Sequence, residues 1–233
     1  MDIALHYEAR GDGFPLILLH GNGERHEYFT HQIAYFSKYY RVIALDTRGH
    51  GNSPRGTADF TIRQFAEDLH DFMTEHHVER AHLLGFSDGG NIALCFALKY
   101  PHMVEKLILN GANLDPSGVR RTVQLPIEIG YKIACAFAGK SARARANAEM
   151  LGLMVNEPHI SPAALHTLAI PTLVIAGTRD MIRRSHTERI AQSIPGAERV
   201  LIRGNHFIAA QNPAEFNRTV AYFLNPTPFE KNS

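Results

Sequence analysis

The sequence predicts an α/β fold, a mostly parallel sheet with helices on both faces. Two observations carry that prediction. Short runs of Val, Ile and Leu with little polar alternation recur along the chain, as strands buried on both faces require. Longer amphipathic stretches alternate with them in a β-α-β rhythm. A length of 233 residues suits one such domain with an insertion.

The strand runs fall at residues 16–20, 42–46, 82–86, 104–110, 172–177 and 199–203, and residues 2–9 add one or two leading strands. Helical patterns cover 29–37, 62–76, 88–99, 186–193 and 213–223. The last of these starts with Asn212 as N-cap, Pro213 at the first helical position and Glu215 three residues after the cap. Pro101 closes the helix before it. One stretch, from about Asn113 to Thr167, breaks the rhythm. It has no buried-strand run. Helix-like pieces at 127–139 and 142–155 are punctuated by Pro116, Pro126, Pro158 and Pro162. That is too long for a connection, so it reads as a helical cap over the C-terminal edge of the sheet. The tail from Asn225 is short and polar and is expected to fray.

Composition excludes several function classes. Twenty-four Lys and Arg face 23 Asp and Glu, a net charge of +1, which argues against nucleic acid or an anionic membrane surface as partner. No apolar run is long enough to span a bilayer. The first residues lack the basic and apolar regions of a signal peptide. Two cysteines, Cys95 and Cys135, call for no disulfide, and the chain is expected in a reducing, cytoplasmic compartment.

The chemistry begins at Gly85-Phe86-Ser87-Asp88-Gly89, a G-x-S-x-G pentapeptide between a strand and a helix. A serine on so tight a turn is forced outward, and its neighbours must be nearly free of side chain. The turn also sets Ser87 at a helix N-terminus, where free N–H groups favour developing negative charge. A serine hydroxyl needs a base, usually a histidine oriented by a carboxylate. In a parallel sheet both belong in loops at the C-terminal ends of strands. Of 14 histidines only His20, His26, His50 and His206 follow a strand closely. His206 follows the last one. Asp180 follows the strand at 172–177, with Asp115 in reserve. Ser87, Asp180 and His206 stand in the chain order nucleophile, acid, histidine. Two backbone N–H groups, of Asn22 in the His20-Gly21-Asn22-Gly23 loop and of Asp88, are the expected oxyanion donors. That leaves the Asn22 and Asp88 side chains free for substrate. Asp88 reads either as favourable charge at a helix start or as a partner for a cationic group on the substrate.

These residues resemble the α/β-hydrolase family. The matching motifs are His20-Gly21-Asn22-Gly23, the stretch from Asp46 through Arg48, Gly49, His50 and Gly51 to Ser53, Gly85-Phe86-Ser87-Asp88-Gly89-Gly90, Gly177-Thr178-Arg179-Asp180 and Gly204-Asn205-His206. The resemblance implies an eight-stranded, mostly parallel sheet with an antiparallel second strand. It also implies a cap between strands six and seven. The expected organisation is a core of residues 1–112 and 169–233 with the cap at 113–168. The Ser-Asp-Gly-Gly elbow is similar to that of valacyclovir-hydrolase-like esterases, and a serine at 87 sets the chain apart from nucleophile-aspartate relatives. Met181-Ile182 and Asn205 depart from the family's usual residues.

The expected activity is hydrolysis of a small carboxylic ester, thioester or amide through an acyl-enzyme on Ser87, with no metal and no cofactor. The expected partner is that small molecule alone, with no nucleic acid and no membrane, for a monomer or homodimer. C–C bond hydrolysis, cofactor-free perhydrolysis and a slow-turnover receptor on the same scaffold are the alternatives. Three remaining features read as structural. Arg48 braces a glycine turn. His70, His76 and His77 lie on a solvated helix face. So do the basic cap residues Arg120, Arg121, Lys140, Arg143 and Arg145.

Overall fold

The computed structural model describes residues 2–225; the polar tail beyond Asn225 lies outside them. Seven strands form one sheet: β1 (Tyr7–Arg10), β2 (Pro15–Leu19), β3 (Arg41–Leu45), β4 (Ala81–Phe86), β5 (Val104–Asn110), β6 (Thr172–Gly177) and β7 (Glu198–Ile202). Their order is β1-β3-β2-β4-β5-β6-β7, with β1 antiparallel to β3 and every other pair parallel. The expected eighth strand is absent from the described residues. Segment 2–6 is engaged otherwise: the His6 carbonyl accepts the Asp46 N–H at 2.9 Å, and the Asp2 carboxylate accepts the Thr57 and Ala58 N–H groups. The antiparallel strand therefore comes first, and the strands expected as sixth and seventh are β5 and β6.

Strands β2 to β6 lie where their apolar runs put them, because burial on both faces demands uninterrupted Leu, Ile and Val. Every residue of β4 and β6 is buried. One face packs Ile17, Ile43, Leu83 and Leu107 against α2 (Ile62–Glu75) and α3 (Asp88–Lys99). The other packs Leu16, Leu18, Leu84 and Ile108 against α1 (Thr30–Phe36) and the C-terminal Phe216 and Val220. Thr61 caps α2 through its hydroxyl.

Three helices stand between β5 and β6: α4 (Arg121–Phe137), α5 (Ala142–Asn156) and α6 (Pro162–Leu165). α4 starts six residues earlier than the sequence pattern suggested and runs through Pro126. A proline in the second turn removes only one intrahelical donor, so it need not end a helix held on one side by α5. After β6 come α7 (Arg184–Ser193), then β7, α8 (Ile208–Gln211) and α9 (Pro213–Leu224). Asn212 does not cap α9 through a backbone N–H; its amide donates instead to the Glu215 carboxylate at 2.6 Å.

Candidate active site

Ser87 joins β4 to α3 at φ 54° and ψ −119°, a strained backbone for a residue with a side chain. Its surroundings over-determine it. The Ser87 N–H donates to the Asn110 carbonyl at 2.8 Å, and the Ser87 carbonyl accepts the Gly90 and Asn91 N–H groups. A Cβ at Gly89 would stand 2.0 Å from the Leu19 carbonyl oxygen, and one at Gly85 2.2 Å from that of Gly89. The two glycines thus let the strand, the turn and the helix approach closely enough to hold the serine out.

The loops after β6 and β7 bring the other two expected residues to it. Ser87 Oγ lies 3.0 Å from His206 Nε2, and His206 Nδ1 lies 2.7 Å from Asp180 Oδ1. Asp180 accepts at Nδ1, which leaves Nε2 free to accept the serine proton. Burial pushes the Asp180 carboxyl up, but the His206 contact and the N–H groups of Ile182 and Gly177 outweigh it and hold the carboxyl below its usual range. Gly111, at φ 65°, lies under the imidazole: a Cβ there would come within 2.7 Å of His206 Cε1. The Phe86 ring packs against the imidazole as well, centroid to centroid 4.8 Å. The reserve acid, Asp115, is not in this set; its carboxylate accepts from Ser117 and caps a short turn.

Asn22 and Asp88 meet on the other side of the serine. Asp88 is the first residue of α3, so its N–H has no acceptor within the helix. The two side chains are not free, as the sequence had suggested. Asn22 Nδ2 donates to Asp88 Oδ2 at 3.0 Å and to the Met150 carbonyl of α5 at 2.8 Å. Asn91 Nδ2 also donates to Asp88, at 3.3 Å. Burial raises the Asp88 carboxyl to about 6, with the two amides pulling the other way. Behind the loop, buried His20 accepts the Thr47 N–H at Nε2 (3.0 Å), so its Nδ1 carries the proton and donates to the Gly21 carbonyl (2.7 Å).

Sequence reasoning missed several participants. Glu24 accepts the Gly21 N–H and is raised to about 7, chiefly by burial. Its position in a glycine loop four residues after His20 was the available signal. Arg120 is not merely a solvated cap residue: its Nε donates to the Asp180 carbonyl at 2.7 Å, and Val119 bridges Ile182. The Met181-Ile182 departure therefore carries a cap contact. Asn205, the second departure, accepts the Phe207 N–H and closes the turn beyond His206.

Arg48 is buried and bonds both Asp68 oxygens, Asp2 and the Arg55 carbonyl, a brace between loops. His70 stacks on Tyr100, and His76 packs on Tyr7 and Phe72. One group among the described residues, His6, His26 and Asp46, has metal-ligand geometry. Its Asp46 oxygens already accept the His26 and Asn52 N–H groups and both imidazoles. That is the pattern of a hydrogen-bonded brace.

Comparison with known proteins agrees with this fold. The sequence profile of a family described as alpha/beta hydrolase fold matches residues 15–129. The mouse protein named serine hydrolase BPHL is 29% identical over 95% of this chain and 83% of its own length. Among solved structures, a hydrolase from Pseudomonas aeruginosa superposes with a TM-score of 0.78 at 26% identity, over 96% of this chain and 95% of that one. A meta-cleavage product hydrolase from Pseudomonas fluorescens gives 0.79 at 26% identity, over the same shares.

Proposed function

The chain belongs to the α/β-hydrolase family and is a hydrolase by that membership, and we propose that it is a serine hydrolase of small carboxylic esters, thioesters or amides. The observation that carries this reading is the continuous chain from Ser87 Oγ through His206 to Asp180, at 3.0 and 2.7 Å. Ser87 attacks the carbonyl carbon while His206 Nε2 takes the hydroxyl proton. The N–H groups of Asn22 and Asp88 hold the oxyanion, and Asp180 stabilises the imidazolium. His206 then returns the proton to the leaving group. Water, deprotonated by the same nitrogen, attacks the acyl-enzyme and releases the acid. Every proton in the cycle passes through one imidazole.

Asp88 is better read as a brace than as an open anion for a cationic substrate. Its oxygens already receive two amide N–H bonds. The likeness to a meta-cleavage product hydrolase supports a second reading, C–C bond hydrolysis by the same three residues. Two free thiols, Cys135 exposed, are compatible with a cytoplasmic location. No helix among the described residues is long and apolar enough to cross a membrane.

A fluorophosphonate probe and a charge and chain-length series of aryl esters test the proposal. Ser87→Ala is expected to abolish labelling and lower kcat/KM by about 10⁴-fold or more. Wild-type protein that hydrolyses esters yet resists the probe at Ser87 would refute it.

A further inference from the structure

Helix α4 presents its apolar side to solvent. Leu125, Ile129, Ile133 and Phe137 recur every fourth residue and are 44, 52, 57 and 53% exposed. They form a stripe about 18 Å long. The inward side of the helix holds Gln124 and Ala134 against the rest of the cap. Lys132 and Lys140 flank the stripe, Lys140 lies over the Phe137 ring, and the one acid of the helix, Glu128 a turn before Lys132, is paired with Arg121. The chain continues from there into the exposed Arg143 and Arg145 of α5. The near-zero net charge of the whole chain conceals this local excess of cations.

From this face we infer that the cap docks on an anionic lipid surface, with the four apolar side chains entering the interface and the cations meeting phosphate headgroups. Two points favour that occupant. An apolar stripe bordered by lysines, with the one neighbouring acid held in an ion pair with Arg121, is the pattern of a helix lying in a membrane interface. The stripe is too small for a second copy: four half-exposed side chains offer roughly 400 Å², about half of what one partner gives to a stable dimer. The proposed docking departs from the expectation, drawn from whole-chain charge and the lack of a spanning apolar run, that no membrane is involved. It concerns the cap's outer surface and stands apart from the chemistry at Ser87.

The test is flotation of the purified protein with vesicles of phosphatidylcholine, and with vesicles in which about a third is replaced by phosphatidylglycerol. Wild type is expected to partition at least about fivefold more onto the anionic vesicles, and less as salt rises. The variant I129D with I133D should lose that partitioning, and K132E with K140E should lose the preference for anionic lipid. Labelling of Ser87 by a fluorophosphonate, kept in both variants, would show that they are folded. Equal partitioning of wild type onto both vesicle types, or none onto either, overturns the inference. So does a concentration-dependent dimer in sedimentation that I129D with I133D dissolves, which would assign the face to a second copy.

Discussion

The loops around Ser87 and the helices of the cap are built on opposite terms. Ser87, Asp180 and His206 sit among backbone bonds and close glycine contacts that leave each of them one arrangement. The cap meets the core through Leu153, Ile160 and Leu165, buried in the core cluster, through the bridge of Val119 to Ile182, and through polar contacts of Asn22 to Met150, Arg120 to Asp180, Arg55 to Glu149 and the Ile62 N–H to Glu157. Its longest helix turns its apolar side outward. Chemistry requires groups fixed to a fraction of an ångström, and redundancy supplies that. The cap's polar ties to the core are single hydrogen bonds and a half-exposed ion pair, which exchange more readily than a buried backbone network.

The contrast is open to attack where it is strongest, beneath the imidazole. Gly111→Ala would force a side chain onto a left-handed backbone and into the His206 ring. We expect kcat to fall about 100-fold with KM little changed, because the ring must leave either Ser87 or Asp180. Steady-state kinetics at constant far-ultraviolet circular dichroism decide it. A variant within twofold of wild type would mean that the ring has slack, and the core would be no more rigid than the cap.

A smaller effect sharpens the role of the buried carboxyl. Asp88 titrates near 6 when folded and near 4 when unfolded, so it binds its proton more tightly in the native state. Its contribution favours folding below pH 4 and is lost as the pH rises through 6. Asp88→Asn removes that loss. At pH 8 the variant should be about 2 kcal/mol more stable than wild type, with the difference closing near pH 4. Urea denaturation across that range measures it, and a gap independent of pH would show that the carboxyl's ionisation does not matter. The smallest effect belongs to the cap's half-exposed ion pair. Arg55→Ala, which frees Glu149, should cost less than about 1 kcal/mol in thermal denaturation. A larger loss would make the cap a fixed part of the core.

What the sequence made legible follows the same division. Strands β4 and β6 were readable because a strand buried on both faces leaves few polar positions to blur it, and β5 was readable from its apolar run Leu107–Leu109 despite Glu105 and Lys106. Ser87, Asp180 and His206 were readable because each ends a recognisable strand, in an order that few alternatives share. Gly111 was not, since what matters about it is an approach in space to the His206 ring and not a pattern along the chain. α4 misled for another reason. Periodicity reveals that a helix has an apolar side but not which way that side points, and Pro126 suggested a break that packing on α5 does not require. The leading segment was overcounted because its polar atoms serve Arg48 and the turn at Thr57 instead of a further strand.

One nitrogen deserves a last consequence. Asn22 Nδ2 holds Asp88 with one hydrogen and the Met150 carbonyl with the other. The residue whose main chain would cradle the charged intermediate is therefore also the latch on the lid. A displacement of α5 would strip that amide of half its anchorage, and so would couple the position of the cap to the loop proposed to hold the oxyanion.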